Sequence, residues 1–524
     1  MKQYASIFND VLGPVMSGPS SSHTAASVRI GNLMRQMLSG KLTKFTIDLD
    51  RPGAIAPTLH SQWVDVGLSA GLLGMFPEGE RLSEALKLMK TSGLEMVYNV
   101  ADFFYPHPNT YKMHLENEMG ESISAVALST GGGMIEFIEI EGYPISMSGG
   151  FHEVFLFAEC LSRDWMDRLN EKVEAVLTMP HQTEIQTREG EAFLEIRTAQ
   201  MIPETVLTEI RNLESVKRVL RLKPVMPVSS QLIPEVPFGN TEELLQAAEK
   251  NHMEAWELAV WYESVRGGIS KEETFDKMLR LVQVMKKSLA AGLAGTHYEN
   301  RILGWQSRYM DYPERKKRLI PDDITNEIIR CVTALMEVKS AMGVFVAAPT
   351  AGACGCLPGT VLAIADKLKL SDVEIAKAMF SAGIPGIFIA ERSTFGSEQA
   401  GCQAEAGSAS GMTAAELAQL MGGTVREVCD AASMALQNVF GLTCDPVAML
   451  VEVPCLGKNI MAGVNGLTSA NMALAGFNAV IPLDETIEAF DEVGRMLPSE
   501  LRCTGCAGIT MTPAAKEIEK RMKA

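Results

Sequence analysis

The organisation of this chain is set by the stretch from residue 153 to residue 222, EVFLFAECLSRDWMDRLNEKVEAVLTMPHQTEIQTREGEAFLEIRTAQMIPETVLTEIRNLESVKRVLRL. Extended apolar runs alternate here with segments of helical spacing, which predicts the order strand, helix, strand, strand, helix, strand. The predicted ranges are 153–159, 160–172, 173–178, 192–198, 203–215 and 216–222. This order is typical of a ferredoxin-like unit.

The sequence on either side of this unit differs in character. Residues 1–148 mix helix-like and loop segments and end in a predicted hairpin of residues 134–140 and 144–148. Residues 224–240 contain four prolines, which predicts an extended linker. We therefore predict an α+β fold class: an N-terminal α+β domain (1–148), a ferredoxin-fold insert (150–223), the linker (224–240) and a mainly helical C-terminal domain (241–524).

The C-terminal part has the periodicity of amphipathic helices. The predicted helices span residues 242–265, 271–291, 322–341, 371–381, 413–421 and 424–439. Ser371 precedes Asp372-Val-Glu374, and Thr413 stands three residues before Glu416. Because hydroxyl side chains can accept a hydrogen bond from the free backbone N–H groups of a first helical turn, both are predicted N-caps.

Charge and apolar patterning narrow the class of protein. The 64 acidic residues exceed the 47 basic ones, giving a net charge of −17, which argues against a nucleic-acid or anionic-membrane partner. The N-terminus lacks a positively charged start followed by an apolar core. Residues 341–365 and 461–483 are uncharged, but Gly, Pro or Asn interrupts them, so we predict buried segments rather than membrane spans. We expect a cytoplasmic protein whose ten cysteines are not disulfide-bonded.

Three cysteines have distinctive surroundings: Gly401-Cys-Gln403, Thr443-Cys-Asp-Pro446 and Val453-Pro-Cys455. Thiolates are soft donors that favour iron–sulfur clusters, zinc and copper(I). Three thiolates on a four-iron cluster would leave one iron open to act as a Lewis acid on a substrate oxygen. On spacing alone, the alternative of buried structural cysteines stays open.

Segments at both ends of the chain resemble those of bacterial iron–sulfur L-serine dehydratases. Gly401-Cys-Gln-Ala-Glu405, Thr443-Cys-Asp-Pro-Val447 and Val453-Pro-Cys455 resemble the cluster-binding segments of that family. Ala348-Pro-Thr-Ala-Gly-Ala-Cys354 resembles its Ala-Pro-Thr-Asn-Gly-Ala loop, and Gly18-Pro-Ser-Ser-Ser-His-Thr24 resembles its N-terminal signature. The segments follow the family's order, with a β-type domain before a helical α-type domain.

The resemblance implies roles for individual residues. Cys402, Cys444 and Cys455 would ligate a [4Fe–4S] cluster, and His23 and His60 would be catalytic. The residues that would bind substrate or order its loop are Ser20, Ser21, Ser22, Thr24, Thr350 and Gly352. His60 stands in Thr58-Leu-His-Ser-Gln62, where the family usually has Gly-His-Gly-Thr-Asp. Because of that departure from the family pattern, the identity of the substrate is not fixed by the resemblance.

The reaction implied is deamination of L-serine to pyruvate and ammonia by a homodimeric enzyme of amino-acid catabolism. A histidine could take the α-proton, because imidazole titrates near working pH. Two alternatives stay open: an L-cysteine desulfidase with the same cluster chemistry, and a non-catalytic amino-acid sensor. A third, a zinc or redox protein using Cys503-Thr-Gly-Cys506, would leave the serine-rich loop without a role.

Three further features are interpreted through the same resemblance. Residues 150–223 resemble an ACT domain, but the junction Ala158-Glu-Cys-Leu-Ser162 lacks the usual glycine, so a structural or dimerising role is predicted. Some family members end in a cysteine that caps the fourth iron. This chain ends Arg521-Met-Lys-Ala524, and whether Cys503 or Cys506 substitutes stays open. For His107, in Pro106-His-Pro108, functional and structural roles are both open.

Overall fold

The computed structural model describes residues 4–79, 81–159, 163–188, 190–232 and 235–523. The strands are β1 Val15–Met16, β2 Leu42–Asp50, β3 Glu95–Ala101, β4 Thr110–Asn117, β5 Ser122–Gly131, β6 Met134–Ile140, β7 Tyr143–Met147, β8 His152–Glu159, β9 His181–Arg188, β10 Glu191–Thr198, β11 Val216–Leu222 and β12 Phe345–Val346. The helices are α1 Ala26–Met37, α2 Ile55–Thr58, α3 Val64–Leu72, α4 Ala85–Ser92, α5 Arg163–Val176, α6 Glu204–Arg211, α7 Thr241–Asn251, α8 Ala255–Gly267, α9 Lys271–Ala294, α10 Pro313–Lys316, α11 Asp323–Ser340, α12 Cys356–Leu368, α13 Asp372–Arg392, α14 Ser397–Cys402, α15 Ser408–Leu420, α16 Val425–Gln437, α17 Cys455–Leu474, α18 Leu483–Met496 and α19 Pro513–Lys523. The predicted division into a sheet-containing N-terminal region and a helical C-terminal region is confirmed.

A six-stranded sheet organises the N-terminal region. Its strand order is β3-β2-β4-β5-β6-β7, with β2 and β3 parallel and the other neighbours antiparallel. Strands β6 and β7 form the predicted hairpin. Alternate residues of the strands are buried beneath α1, because side chains of a strand point to opposite faces in turn. Helix α1 is therefore held firmly against the sheet, directly after the serine-rich loop.

A second, four-stranded antiparallel sheet follows, with the order β11-β8-β10-β9. Its six elements occur in the predicted order, which is that of a ferredoxin-like unit. The predicted strand at 173–178 is wrong. Helix α5 continues to Val176, because Val173 belongs to the same buried face as Trp165 and Leu169. Residues 160–162 of the predicted strand-to-helix junction lie outside the described residues, and the resemblance to an ACT domain stays a prediction.

The helical region differs in detail from its prediction. The helix predicted at 242–265 is two helices, α7 and α8, because His252 adopts a left-handed conformation (φ 52°) that ends α7. Ser371 caps α13 in a capping box with Glu374, as predicted. Thr413 is not a cap: it lies inside α15, which begins at Ser408, and it is fully buried among neighbouring helices. A capping box is instead formed by Thr424 at the start of α16.

The N-terminal segment is packed into the helical region. A helical turn, Ile7–Val11, contributes buried side chains to the large core formed by the C-terminal helices. Ser6 Oγ donates to Glu263 Oε1 at 2.6 Å, and β1 pairs antiparallel with β12. These contacts bring the loop that follows β1, which contains the Ser-Ser-Ser-His sequence, against the loop that follows β12.

One helix of the described chain, α13, is long and apolar enough to cross a membrane. In the structure 78% of its most apolar window is buried. It packs against α8, α9 and α15 inside the largest hydrophobic core. Packing against protein therefore accounts for its apolar surface.

Candidate active site

His23 lies at the junction of the two regions. It is part of a short helical segment, Ser21–Ala25, whose first turn is capped by the Ser20 hydroxyl. The His23 side chain is 1% exposed. Its Nδ1 atom lies 3.0 Å from Ser20 Oγ and 3.1 Å from Ser22 Oγ. The serines adjoining His23 therefore fix the orientation of the imidazole ring.

A carboxylate from the helical region completes this arrangement. Ser22 Oγ donates to Glu398 Oε1 at 2.9 Å, and His23 Nδ1 lies 3.6 Å from the same oxygen. Because the Ser22 proton is directed to Glu398, the Ser22 oxygen is an acceptor toward His23. Nδ1 of His23 is thus held between the Ser20 and Ser22 hydroxyl oxygens, and Nε2 points away from both.

The Nε2 atom of His23 is buried and has no hydrogen bond of normal geometry among the described residues. Burial lowers the pKa of His23, because a charged ring is poorly solvated there. The Glu398 carboxylate and the Ala54 carbonyl oppose this effect without reversing it. The ring is thus neutral at neutral pH.

The loop from Ala348 to Cys354 links His23 to the cysteines. The backbone N–H of Ala351 donates to Ser21 Oγ at 3.2 Å, and Thr350 Oγ1 donates to Glu405 Oε1 at 2.7 Å. A Cβ at position 352 would lie 2.5 Å from Glu405 Oε1, so Gly352 lets the loop lie directly against the Glu405 carboxylate. The loop therefore lies between the histidine and the acid that follows Cys402.

Two of the predicted cluster ligands converge with Glu405. Ligand atoms of Cys402, Glu405 and Cys444 all lie within 4.8 Å of one another, a group that could hold a metal ion. The Cys455 thiol contacts that of Cys402. The predicted cysteines 402, 444 and 455 are thus brought together, although 42 residues separate the first two in sequence.

The thiols are poorly ionised without a bound cation. Contact with Cys444 raises the pKa of Cys402, and contact with Cys402 raises that of Cys455, with burial adding to both effects. The contact with Cys402 lowers the pKa of Cys444, but Cys503 and burial raise it well above its usual value overall. Burial also raises the pKa of Glu405 to about 7. A metal would supply the positive charge that ionises these donors.

Two lysines provide positive charge beside the thiols. Lys458 Nζ lies 3.3 Å from Asp445 Oδ1. Burial lowers the pKa of Lys458, but negative charge on Cys402 and Asp445 raises it above its usual value overall. Lys339 is buried, donates to the Val451 carbonyl, and lowers the pKa of both Cys455 and Glu405. Both lysines therefore favour negatively charged ligands at this place.

Backbone geometry brings the cysteine segments together. Gly401 has φ +70°, and a Cβ there would lie 2.6 Å from the Leu442 carbonyl, which accepts a hydrogen bond from Gln403 N. The glycine thus lets the Cys402 turn lie directly against the Cys444 segment. Asn459 of α17 donates to the Gly352 carbonyl at 2.8 Å and to the Cys455 carbonyl at 2.9 Å. This asparagine ties the 348–354 loop to the third cysteine.

A fourth cysteine, Cys503, adjoins the group. Its thiol contacts that of Cys444, and its backbone N–H donates to the Cys444 carbonyl at 2.8 Å. Cys503 is buried, whereas Cys506 is exposed. Of the two cysteines left open by the sequence, only Cys503 is in contact with the predicted ligands.

His60 and Thr24 lie away from this group. The His60 side chain is 79% exposed, and its Nδ1 lies 2.7 Å from Asp65 Oδ2. Thr24 Oγ1 donates to the Gln62 carbonyl at 2.9 Å. Gln62 Nε2 in turn donates to the Met449 carbonyl at 3.2 Å, near the Cys444 segment. Thr24 therefore fixes the loop, while the contacts of His60 do not join it to His23.

His107 is closer to the site than its sequence setting indicated. Its Nδ1 accepts from Asn109 N at 3.1 Å, and its Nε2 lies 2.9 Å from the side-chain amide of Gln399. Gln399 adjoins Glu398 in sequence. His107 therefore contacts the segment that supplies the acid beside His23.

Sequence reasoning did not single out several residues of the site. Glu405 is the last residue of the motif Gly401–Glu405, so its position beside Cys402 was the sequence signal that could have identified it as a site residue. Glu398, Lys339 and Lys458 have no distinctive sequence setting, and only their contacts reveal them. Asn459 follows Cys455 by one helical turn, a spacing that places both on one face of α17.

The helical region matches a protein family. A model of the serine dehydratase alpha chain matches residues 204–510. The probable L-serine dehydratase alpha chain of Bacillus subtilis is 34% identical over 285 residues, which are 54% of this chain and 95% of the relative. The corresponding protein of Latilactobacillus sakei is 44% identical over 200 residues, 38% of this chain and 96% of the relative.

A third relative is the L-serine dehydratase alpha chain of Peptoniphilus asaccharolyticus. It is 32% identical over 286 residues, which are 54% of this chain and 97% of the relative. The matched region contains the 348–354 loop and all three cysteines of the site. From these matches, with the alpha-chain model covering residues 204–510, the chain belongs to the serine dehydratase family.

Proposed function

We propose that this protein is an L-serine ammonia-lyase that forms pyruvate and ammonia at a [4Fe–4S] cluster held by Cys402, Cys444 and Cys455. Relatives that match the helical half over nearly their whole length are L-serine dehydratase alpha chains. The observation that carries the proposal is the state of His23. A buried, neutral imidazole, held at Nδ1 by Ser20 and Ser22 and without a hydrogen-bond partner at Nε2 among the described residues, adjoins a loop that contacts the cysteine group.

The donor set fits an iron–sulfur cluster. Three buried thiols converge from the end of α14, the segment before α17 and the start of α17, and two lysines favour their ionised forms. Soft thiolate donors select iron–sulfur clusters, zinc or copper(I), and the family resemblance favours the first. When bound, a cluster with three protein ligands would supply a Lewis acid for the departing hydroxyl group of serine.

His23 acts as the general base in this proposal. Its Nε2 atom takes the proton from Cα of L-serine, and the electron pair left behind forms the Cα–Cβ double bond as the β-hydroxyl leaves. The resulting imidazolium is stabilised by the Glu398 carboxylate, 3.6 Å from Nδ1. The proton gained by His23 returns to the leaving oxygen, so that water departs.

The serine-rich loop has two tasks. Ser20 and Ser22 hold the imidazole through Nδ1. Ser21 Oγ accepts a hydrogen bond from the backbone N–H of Ala351. The hydroxyl proton of Ser21 can therefore be donated to a substrate carboxylate. We assign substrate binding to Ser21, Thr350 and Gly352, and assign Ser20, Ser22 and Thr24 to ordering the loop. A catalytic role for His60, whose side chain is largely exposed and does not contact His23, is proposed on the family resemblance alone.

The remaining chemistry proceeds in water. Loss of water from serine gives 2-aminoacrylate, which tautomerises to an imine. Addition of water to the imine and loss of ammonia give pyruvate. The net reaction is therefore L-serine to pyruvate and ammonia, without an external oxidant or reductant.

Anaerobic purification followed by iron and sulfide analysis, with product assays on L-serine and L-cysteine, tests the proposal. We expect about four irons per chain and pyruvate from L-serine. If the protein forms hydrogen sulfide from L-cysteine and does not turn over L-serine, L-cysteine would take the place of L-serine as the proposed substrate. A protein without iron after anaerobic reconstitution would overturn the cluster assignment, and loaded protein that binds serine without product would favour a sensor.

A further inference from the structure

A cavity lies where the N-terminal segment, α1, the linker and α9 meet. Its volume is about 380 Å³. Its walls come from residues 12–15, helix α1, residues 76–78, the linker at 224–227 and helix α9. None of the predicted cluster, catalytic or substrate-binding residues lines it among the described residues. The cavity is therefore a separate feature at the junction of the two regions.

Arg29 of α1 forms the floor of this cavity. The residue is 2% exposed, and its Nη1 donates to the Gly133 carbonyl at 2.6 Å. Its Nε has no hydrogen-bond partner among the described residues. No described carboxylate forms a salt bridge with the guanidinium, although Asp10 and Glu78 raise the pKa of Arg29 against the effect of burial. A buried guanidinium that is not directly paired with an acid is costly, so an anion bound beside it would stabilise Arg29.

The mouth of the cavity is also positively charged. Lys277 and Arg280 of α9 line it, against the single acid Glu78 among the described lining residues. Lys277 lies 3.7 Å from Glu273, whereas Arg280 is exposed and has no ion pair with a described residue. The protein as a whole has a net charge of −17, so this concentration of cations is not a general property of its surface.

The walls between floor and mouth are apolar. They include the side chains of Phe8, Leu12, Val15, Phe76, Val225 and Leu281. Ligand sites in proteins combine apolar walls with a few placed polar groups that fix orientation. Here the polar groups are cationic, so the matching ligand has one negatively charged end and an apolar body.

We propose that this cavity binds a small monocarboxylate with an aliphatic or aromatic body. The carboxylate faces Arg29, which can present two N–H groups to its oxygens. The body lies along the apolar walls, and Lys277 and Arg280 attract the anion to the mouth. The site is independent of the proposed lyase activity, because no residue of the catalytic group takes part.

Isothermal titration calorimetry on the anaerobically purified full chain tests this inference, with hexanoate, acetate and the uncharged hexanamide as probes. We expect hexanoate to bind, acetate to bind at least about tenfold more weakly, and hexanamide to give no saturable heat. No saturable heat from hexanoate at millimolar concentration, or equal binding of hexanamide, would overturn the proposal.

Variants locate the site. Arg29→Gln should abolish hexanoate binding, and circular dichroism would show whether this buried change also unfolds the protein. The double variant Lys277→Gln/Arg280→Gln alters partly or fully exposed side chains and should weaken binding at least about tenfold and reduce its salt dependence. Lys287→Gln, on the same helix but outside the cavity, is the matched control. Unchanged binding in the double variant would refute the site whatever the fate of Arg29→Gln.

Discussion

Ser22 Oγ donates a hydrogen bond to Glu398 Oε1 at 2.9 Å, although the two residues are 376 positions apart in the chain. Both side chains are buried. The bond joins the loop before α1 to the helix that leads to Cys402. Since Ser22 also contacts His23, the protonation geometry of the histidine depends on correct docking of the two regions.

Replacement of His23 by Gln should remove turnover while leaving the cluster in place. Gln has a similar reach but cannot accept the α-proton, so kcat should fall by roughly 10²–10⁴-fold. Iron content, the visible absorbance of the cluster and pyruvate formation are the measurements. His297→Gln alters an exposed histidine and should behave as the wild type. Loss of iron in the His23 variant alone would argue for a structural role.

The pH dependence of turnover should show an acid limb below the ordinary histidine pKa of 6.5. Burial lowers the pKa of His23, so protonation, which removes the base, sets in only at lower pH. Glu398 raises that pKa, and Glu398→Gln should therefore move the limb to still lower pH and reduce kcat by disturbing the position of the ring. Glu488→Gln, on the surface, is the control. A limb that does not move would contradict the assigned role of Glu398.

Replacement of Cys444 by Ser should abolish cluster binding. The change removes one of three converging thiolates and replaces it with a hard, weakly acidic donor. Iron and sulfide analysis after anaerobic reconstitution measures the effect. Cys429→Ser is a matched control, because Cys429 is equally buried but lies within α16. Full iron content in Cys444→Ser would refute the ligand assignment.

Replacement of Cys503 by Ala distinguishes a neighbour from a fourth ligand. We expect the variant to keep about four irons per chain, because Cys402, Cys444 and Cys455 remain, and to change turnover only a few-fold. Cys506→Ala alters an exposed thiol and controls for the general effect of losing a cysteine. If iron is lost from Cys503→Ala but not from Cys506→Ala, Cys503 is itself a ligand.

Local sequence was sufficient where local interactions decide structure. The hairpin of β6 and β7, the strand Val216–Leu222 and the Ser371 cap were all predictable, because alternation and capping act over a few residues. Predictions failed where burial overrode local preference. Residues 173–176 continue a helix to bury Val173, and Thr413 lies inside a helix because α15 is enclosed by its neighbours.

The sequence by itself determined the family and the division into a sheet region and a helical region, and its recognisable motifs singled out Cys402, Cys444, Cys455 and His23 as candidates. Only the tertiary structure placed Glu398 beside His23, Glu405 beside the thiols, and Cys503 against Cys444. The same holds for the cavity above Arg29, whose walls come from five separate segments. The physical reason is that hydrogen bonds, desolvation and charge act through space, between groups whose separation along the chain carries no signal.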